Sequence, residues 1–264
     1  MKHLVMYSGG LVSWATAEVA CHLYGPDNVE LIFADTLIED EDLYRFLDET
    51  VQQLGCKYTR LCDGRTPWEV FEDVKFIGNS RIDPCSRILK REIIRKYLDA
   101  NYDPAKTTIH IGFSWDEMHR FDKAKPYWNP WTIRAPLTED GYQWTRAQIE
   151  ARLEGHGIAL PRLYAMGFAH NNCGGFCVKA GHAQFKALLE QMPERYAAHE
   201  REEAKVMAKI GTASTVMKDR RGGTTKPLSM QAFRERLVVE GKIDDDYDWG
   251  GCGCFYPLEY TEET

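Results

Sequence analysis

The sequence predicts an α/β protein: a three-layer α/β/α arrangement around a mostly parallel sheet, followed by a mainly helical, cysteine-rich C-terminal part. Three observations predict it. The first half alternates short apolar runs with stretches of helical period. A Ser8-Gly9-Gly10 turn joins the first apolar run directly to the first helical stretch. The second half gives up that alternation for prolines, tryptophans and longer helical stretches, with cysteines bunched among glycines. Strands that alternate with helices build a parallel sheet covered on both faces.

Leu4-Val5-Met6-Tyr7 reads as a buried first strand, and the apolar period from Leu11 to Tyr24 as the helix after the turn. Val29 to Phe33 is the second strand, ended by Asp35-Thr36. A helix follows from about Asp40 to Leu54, with Leu43, Phe46, Leu47, Val51 and Leu54 on one side. Lys57 to Leu61 is a third strand, helices follow near Trp68–Val74 and Cys85–Leu98, and Thr108 to Gly112 is a fourth strand. Pro126, Pro130 and Pro136, with Trp128 and Trp131, suggest an ordered loop and a soft break near residue 128. Residues 1–128 then form one part and residues 129–264 the other. Helices are expected from Trp144 to Gly155, Ala180 to Gln191, Pro193 to Ile210 and Met230 to Glu240.

In an open parallel sheet, ligands gather beyond the carboxyl ends of the strands. Ser8–Ser13, Asp35-Thr36 and Gly112–Arg120 all follow strands and can face one site. The glycines after the first strand remove Cβ atoms, and the helix start presents free N–H groups and a positive dipole end. A phosphate or pyrophosphate suits such a seat; an ordinary turn is the competing reading. The G-x-x-x-x-G-K-[ST] spacing is absent, so this is not a Walker-type loop.

At 264 residues the chain is long enough to bury a substantial core without disulfides or metal. No apolar run approaches a membrane span and Met1-Lys2-His3 leads straight into a strand, so a cytoplasmic protein without membrane partners is expected. A net charge of −7 argues against wholesale polyanion binding. The basic stretch from Lys205 to Lys226 fits a solvated helix face and loop. Trp128, Trp131 and Trp144, with Tyr127, Tyr142, Arg134 and Arg146, could stack a base beside a phosphate contact; packing is the simpler role for so much aromatic area.

Four pieces in order along residues 1–125 resemble the N-type ATP pyrophosphatases, the PP-loop superfamily that includes PAPS reductase. Ser8-Gly9-Gly10-x-x-Ser13 is similar to their pyrophosphate loop. Phe33-Ala34-Asp35-Thr36 is similar to their second-strand motif, whose acidic residue lies near the adenosine. Cys85-Ser86-Arg87-Ile88-Leu89-Lys90 resembles the Cys-x-x-x-x-Lys helix of PAPS reductases, DNA phosphorothioation proteins and tRNA 2-thiocytidine synthetases. Gly112-x4-Glu117-Met118-His119-Arg120 resembles the Gly-x-Arg-x-x-Glu-Ser-x-x-Arg segment, with Ser114 where the family has arginine.

The resemblance implies an adenine nucleotide alpha hydrolase-like fold that binds ATP, or a related adenylate, with Mg2+. Ser8, Gly9, Gly10, Ser13, Asp35, Thr36 and Gly112 would hold the nucleotide, and Lys90, Arg120 and Glu117 would act in catalysis. It implies ATP-dependent adenylation coupled to sulfur transfer or nucleic-acid base modification, with tRNA or DNA as acceptor and a sulfur donor protein as partner. Two other readings stand beside it: reduction of an adenylyl sulfate, and a nucleotide-sensing subunit without hydrolysis. Leu11-Val12 replaces the Lys-Asp of many ATP-using members, removing a carboxylate that Asp35, Glu39 or Asp40 would have to replace.

Eight cysteines without an export signal are not a disulfide framework. Cys21, Cys56 and Cys62 stand alone, as buried cysteines do. Cys173, Cys177, Cys252 and Cys254 form two glycine-flanked pairs, Cys173-Gly-Gly-Phe-Cys177 and Cys252-Gly-Cys254, and look like ligands. Four thiolates suit tetrahedral zinc and an iron–sulfur cluster equally, with no metal as the third alternative. The resemblance favours an iron–sulfur cluster over structural Zn2+. Cys85 is a fifth candidate ligand, a reactive thiol or a buried residue, and His170 and His182 flank the first pair.

Overall fold

A computed structural model describes residues 1–79, 81–211 and 214–240. Five parallel strands form one sheet in the order β3-β2-β1-β4-β5: β1 is Lys2–Met6, β2 Val29–Asp35, β3 Lys57–Cys62, β4 Thr107–Ile111 and β5 Thr132–Arg134. The chain moves outward from β1 to β2 and β3, then returns across β1 to β4 and β5. The order therefore reverses between β1 and β4, and a crevice opens beyond their carboxyl ends.

Side chains alternate across the central strands, as a period of two demands. Val5, Tyr7, Leu31 and Phe33 face α1 (Leu11–Tyr24) and α2 (Glu41–Leu54), which contribute Trp14, Val19, Leu43, Phe46 and Leu47. Leu4, Met6, Ile32, Ala34, Ile109 and Ile111 face the opposite layer. There, α4 (Pro84–Ser86) runs through a π-helical segment, Arg87–Glu92, into α5 (Ile93–Asn101), and α6 (Met118–Trp128) follows β4. Two helical layers enclose the sheet, as the alternating sequence predicts.

The starts of the helices are locally encoded. Asp40 caps α2 through Asp42 N–H at 3.0 Å, and Thr66 with Glu69 forms a capping box on α3 (Pro67–Asp73). Thr145 and Gln148 do the same for α7 (Arg146–Gly155). The expected loop at Pro126–Trp128 is instead the last turn of α6. There Pro126 forfeits only one hydrogen bond, and Trp128 is buried against the sheet with Trp131.

After α7, a short helix α8 (Arg162–Ala165) leads to α9 (His182–Gln191), α10 (Pro193–Ile210), the antiparallel pair β6 (Met217–Asp219) and β7 (Lys226–Leu228), and α11 (Met230–Glu240). Their apolar faces share a core with α3: Trp68 and Phe71 meet Phe176, Phe185, Leu188, Tyr196 and Phe233. Trp68 donates its indole N–H to His199 Nδ1 at 2.9 Å, and His199 stacks on Phe176 at 4.0 Å. The buried carboxylate of Glu203 accepts the N–H groups of Val216 at 3.0 Å and Met230 at 2.5 Å. The C-terminal part is thus built onto α3 and the carboxyl edge of the sheet. Among the described residues, no helix is long and apolar enough to cross a membrane.

Candidate functional site at the carboxyl edge of the sheet

A cleft opens at the reversal between β1 and β4. Its floor is Met6, Ser8, Gly10, Leu11, Val12 and Ser13 from the first turn and Ile111, Gly112 and Phe113 from the end of β4. Its walls carry Lys90, Glu117 and Arg120, and, from the C-terminal part, Tyr164, His170, Asn171 and Asn172. Seven of the residues singled out from the sequence, Ser8, Gly10, Ser13, Gly112, Lys90, Glu117 and Arg120, meet there.

The turn is held by its own serines. Ser8 N–H and Ser8 Oγ both lie 3.2 Å from Ser13 Oγ, which donates to Gly10 O at 2.8 Å. Gly9 has φ +73°, and a Cβ there would meet Leu43 at 3.0 Å, so Gly9 is the buried underside of the turn. Ser8 N–H and Leu11 N–H are occupied, the latter by Tyr164 Oη at 3.2 Å. The Gly9 and Gly10 amides have no hydrogen-bond partner among the described residues, and Val12 and Ser13 N–H groups have no acceptor within the helix. These amides and the positive end of α1 present N–H donors and positive potential, the features that suit an anion.

Two cations reach the cleft. Lys90 belongs to the π-helical segment, as helical irregularities at sites often do. It is buried with Nζ 3.7 Å from Glu39 Oε1. Burial pushes the Glu39 carboxyl up, against the pull of Lys90, the Thr36 hydroxyl and the Cys173 N–H. Arg120 pairs with Glu117, which also accepts Ser114 Oγ at 3.0 Å, and its guanidinium lies 5.6 Å from the Phe113 ring centroid. Arg91, next to Lys90, points elsewhere: it forms a two-pronged pair with Asp83 at 3.0 Å, and Lys179 joins at 3.0 Å. Burial opposes ionisation of Asp83, yet Arg91 and Lys179 outweigh it and hold the carboxyl below its ordinary value.

Asp35 and Thr36 stand one strand away. Asp35 is fully buried and accepts Leu37 N–H at 2.8 Å, Tyr44 Oη at 3.0 Å and an Arg60 ion pair. Asp40 holds Arg162 and Arg195. The carboxylates that could replace the missing loop acid are therefore committed to cations, hydroxyls and amides, and they do not fit the role of magnesium ligands. Cys173 and Cys177 flank a short turn beside Glu39, and Cys85 packs against the core around Phe176. No group of three metal-capable side chains is found among the described residues, and Cys252 and Cys254 lie outside them. Trp128 and Trp131 are buried in the core, and Arg134 pairs with Glu139, so these residues serve packing.

A family model for the phosphoadenosine phosphosulfate reductase domain matches residues 2–174, from β1 through the Cys173 turn. The chain belongs to this family. The PAPS reductase domain thus contains the whole sheet and every residue that lines the cleft. An uncharacterized protein of Methanocaldococcus jannaschii is 24% identical over 172 residues, which is 64% of this chain and 35% of that protein. The chain thus spans about a third of that relative's length. The solved structure of phosphoadenylyl-sulfate (PAPS) reductase from Candida auris, a phosphate complex, is similar over 64% of this chain and 79% of its own, with a TM-score of 0.44 and 16% identity.

His170, singled out in the sequence only as a neighbour of the Cys173 pair, lines the cleft; Tyr164, Asn171 and Asn172 were missed. Nothing local marks those three: a tyrosine in a four-residue helix and an Asn-Asn pair before a cysteine read as packing and loop.

Proposed function

We propose that the cleft binds an adenine nucleotide, ATP or a related adenylate, and that the protein activates an acceptor by adenylation for sulfur transfer or base modification. The observation that carries this reading is the convergence of unpaired loop amides, the α1 N-terminus, Lys90 and Arg120 at one crevice. In that reaction an acceptor oxygen attacks the α-phosphate, the new P–O bond forms as the α–β anhydride breaks, and pyrophosphate leaves. The protein's share is to neutralise charge that grows on the phosphoryl oxygens: amides as fixed dipoles, Lys90 as a point charge, Arg120 as a fork. Magnesium would arrive as part of the ATP complex. Release of pyrophosphate from Mg-ATP in the presence of candidate tRNA or DNA acceptors tests the reading.

A second reading is reduction of an adenylyl sulfate, which membership of the PAPS reductase domain family supports. It requires a nucleophilic thiol, for which the half-buried Cys85, one helix segment before Lys90, is the described candidate. Sulfite formation from an adenylyl sulfate separates the two. Nucleotide binding with neither product supports a sensing subunit.

A further inference from the structure

Two side chains from far along the chain grip the phosphate turn. Asn171 Nδ2 donates to Gly9 O at 2.9 Å across 162 residues, and Tyr164 Oη accepts Leu11 N–H at 3.2 Å across 153. These two bonds sit on successive peptide planes, one on each side of Gly10. In a trans peptide the C=O and the following N–H point in opposite directions. By fixing Gly9 C=O, Asn171 therefore aims Gly10 N–H away from itself. By fixing Leu11 N–H, Tyr164 turns Gly10 C=O the other way, toward Ser13 Oγ at 2.8 Å and Trp14 N–H at 3.0 Å. Without such ties a glycine pair has wide conformational freedom.

We infer that Tyr164 and Asn171 are positioning residues that preorganise the Gly10 amide for the phosphates of the ligand. The inference rests on the nucleotide reading above and assigns phosphate affinity partly to the C-terminal segment. Three observations carry it. The supports are rigid: Arg162, at the start of α8, gives its N–H to Asp42 at 2.7 Å and its guanidinium to Asp40 at 2.8 Å and Glu41 at 2.9 Å. The same α2 start lays Leu43 under Gly9, so one helix end anchors both the turn and its clamp. Asn171 is buried, and its Oδ1 has no partner among the described residues. An unpaired buried carbonyl costs stability, so the amide's contribution is its grip on Gly9.

The test is calorimetric titration of the full chain with ATP, inorganic pyrophosphate and adenosine, in wild type, Tyr164→Phe and Asn171→Ala. Tyr164→Phe keeps the ring under Arg146 and deletes only the oxygen. Losing one such constraint is expected to weaken ATP and pyrophosphate about tenfold, the scale of one hydrogen bond, while adenosine affinity stays unchanged. Faster amide exchange across residues 8–13 in Tyr164→Phe, at unchanged melting temperature, is the ligand-free counterpart. It keeps the test open should Asn171→Ala fail to fold. Equal losses for adenosine and ATP, or no change in ATP affinity and exchange, would overturn the inference while leaving the nucleotide reading intact. A folded wild type that binds none of the three ligands overturns both.

Discussion

A Cβ placed on Gly112 would stand 3.2 Å from the Cα and the backbone nitrogen of Ser13. The end of β4 and the start of α1 thus touch backbone to backbone, and this contact closes the floor of the cleft. Gly112→Ala is expected to push the two apart, costing about 1–3 kcal/mol of stability as overpacking does. Phosphate binding should weaken with it, because the amides of the first turn of α1 move. Denaturant unfolding and titration with pyrophosphate check both effects; wild-type values in both would show that the contact is not tight.

Lys90→Met removes a cation from the cleft and leaves the buried Glu39 without its charge partner. Breaking such a pair costs about 3–5 kcal/mol, and ATP affinity should fall at least tenfold. Adding Glu39→Gln should restore much of the stability without restoring affinity. Unfolding and binding measured on the single and double variants separate the two roles of Lys90.

Asp83 pairs with both Arg91 and Lys179, and all three side chains are buried. Asp83→Asn leaves two cations facing a neutral amide and is expected to cost about 3–5 kcal/mol. Lys179→Met in the same background should recover part of it. A thermal shift within a degree of wild type for Asp83→Asn would contradict this arrangement.

Two buried histidines contribute to the acid sensitivity. Burial pushes His110 down to about 3, helped by the charges of His3 and Arg134, and it pushes His199 down to about 3, helped by Arg195. Below the ordinary value of 6.5 the unfolded chain takes up these protons and the folded chain does not. Stability conferred by the neutral rings is therefore complete above about pH 7 and falls as pH drops from 6.5 toward 3. At pH 5 the loss is about 2 kcal/mol for each ring. Glu39 and Glu203, whose carboxyls burial raises, act with the opposite sign, being lost as pH rises through their folded values. Comparing wild type with His199→Gln from pH 7.5 to 5 cancels those terms. The variant should lose less stability over that range; parallel curves would contradict the neutral buried ring.

Much of this architecture is legible along the chain because the physics is local. Leu4–Tyr7, Val29–Phe33 and Thr108–Ile111 announce buried strands, and Ser8-Gly9-Gly10 ahead of a helical period announces a turn at a helix start. Lys90, Glu117 and Arg120 are legible through the order of motifs. β5 escapes notice because Thr132–Arg134 is three residues between prolines, and its strand character comes only from pairing with β4. Tyr164 and Asn171 escape for a deeper reason: their role exists only after the C-terminal part has packed over the sheet edge. Asp35 is legible as a motif acid, but the partners of its oxygens, Leu37, Tyr44 and Arg60, are not, because Arg60 and Tyr44 reach it only after β3 and α2 have packed.

The seat of phosphate at the β1–β4 crevice is tested most directly by calorimetric titration of the folded chain with ATP beside adenosine. ATP is expected to bind with at least tenfold higher affinity than adenosine, a difference abolished in Lys90→Met. Equal affinities, or no heat with ATP from a protein shown to be folded, would contradict a phosphate site at this turn.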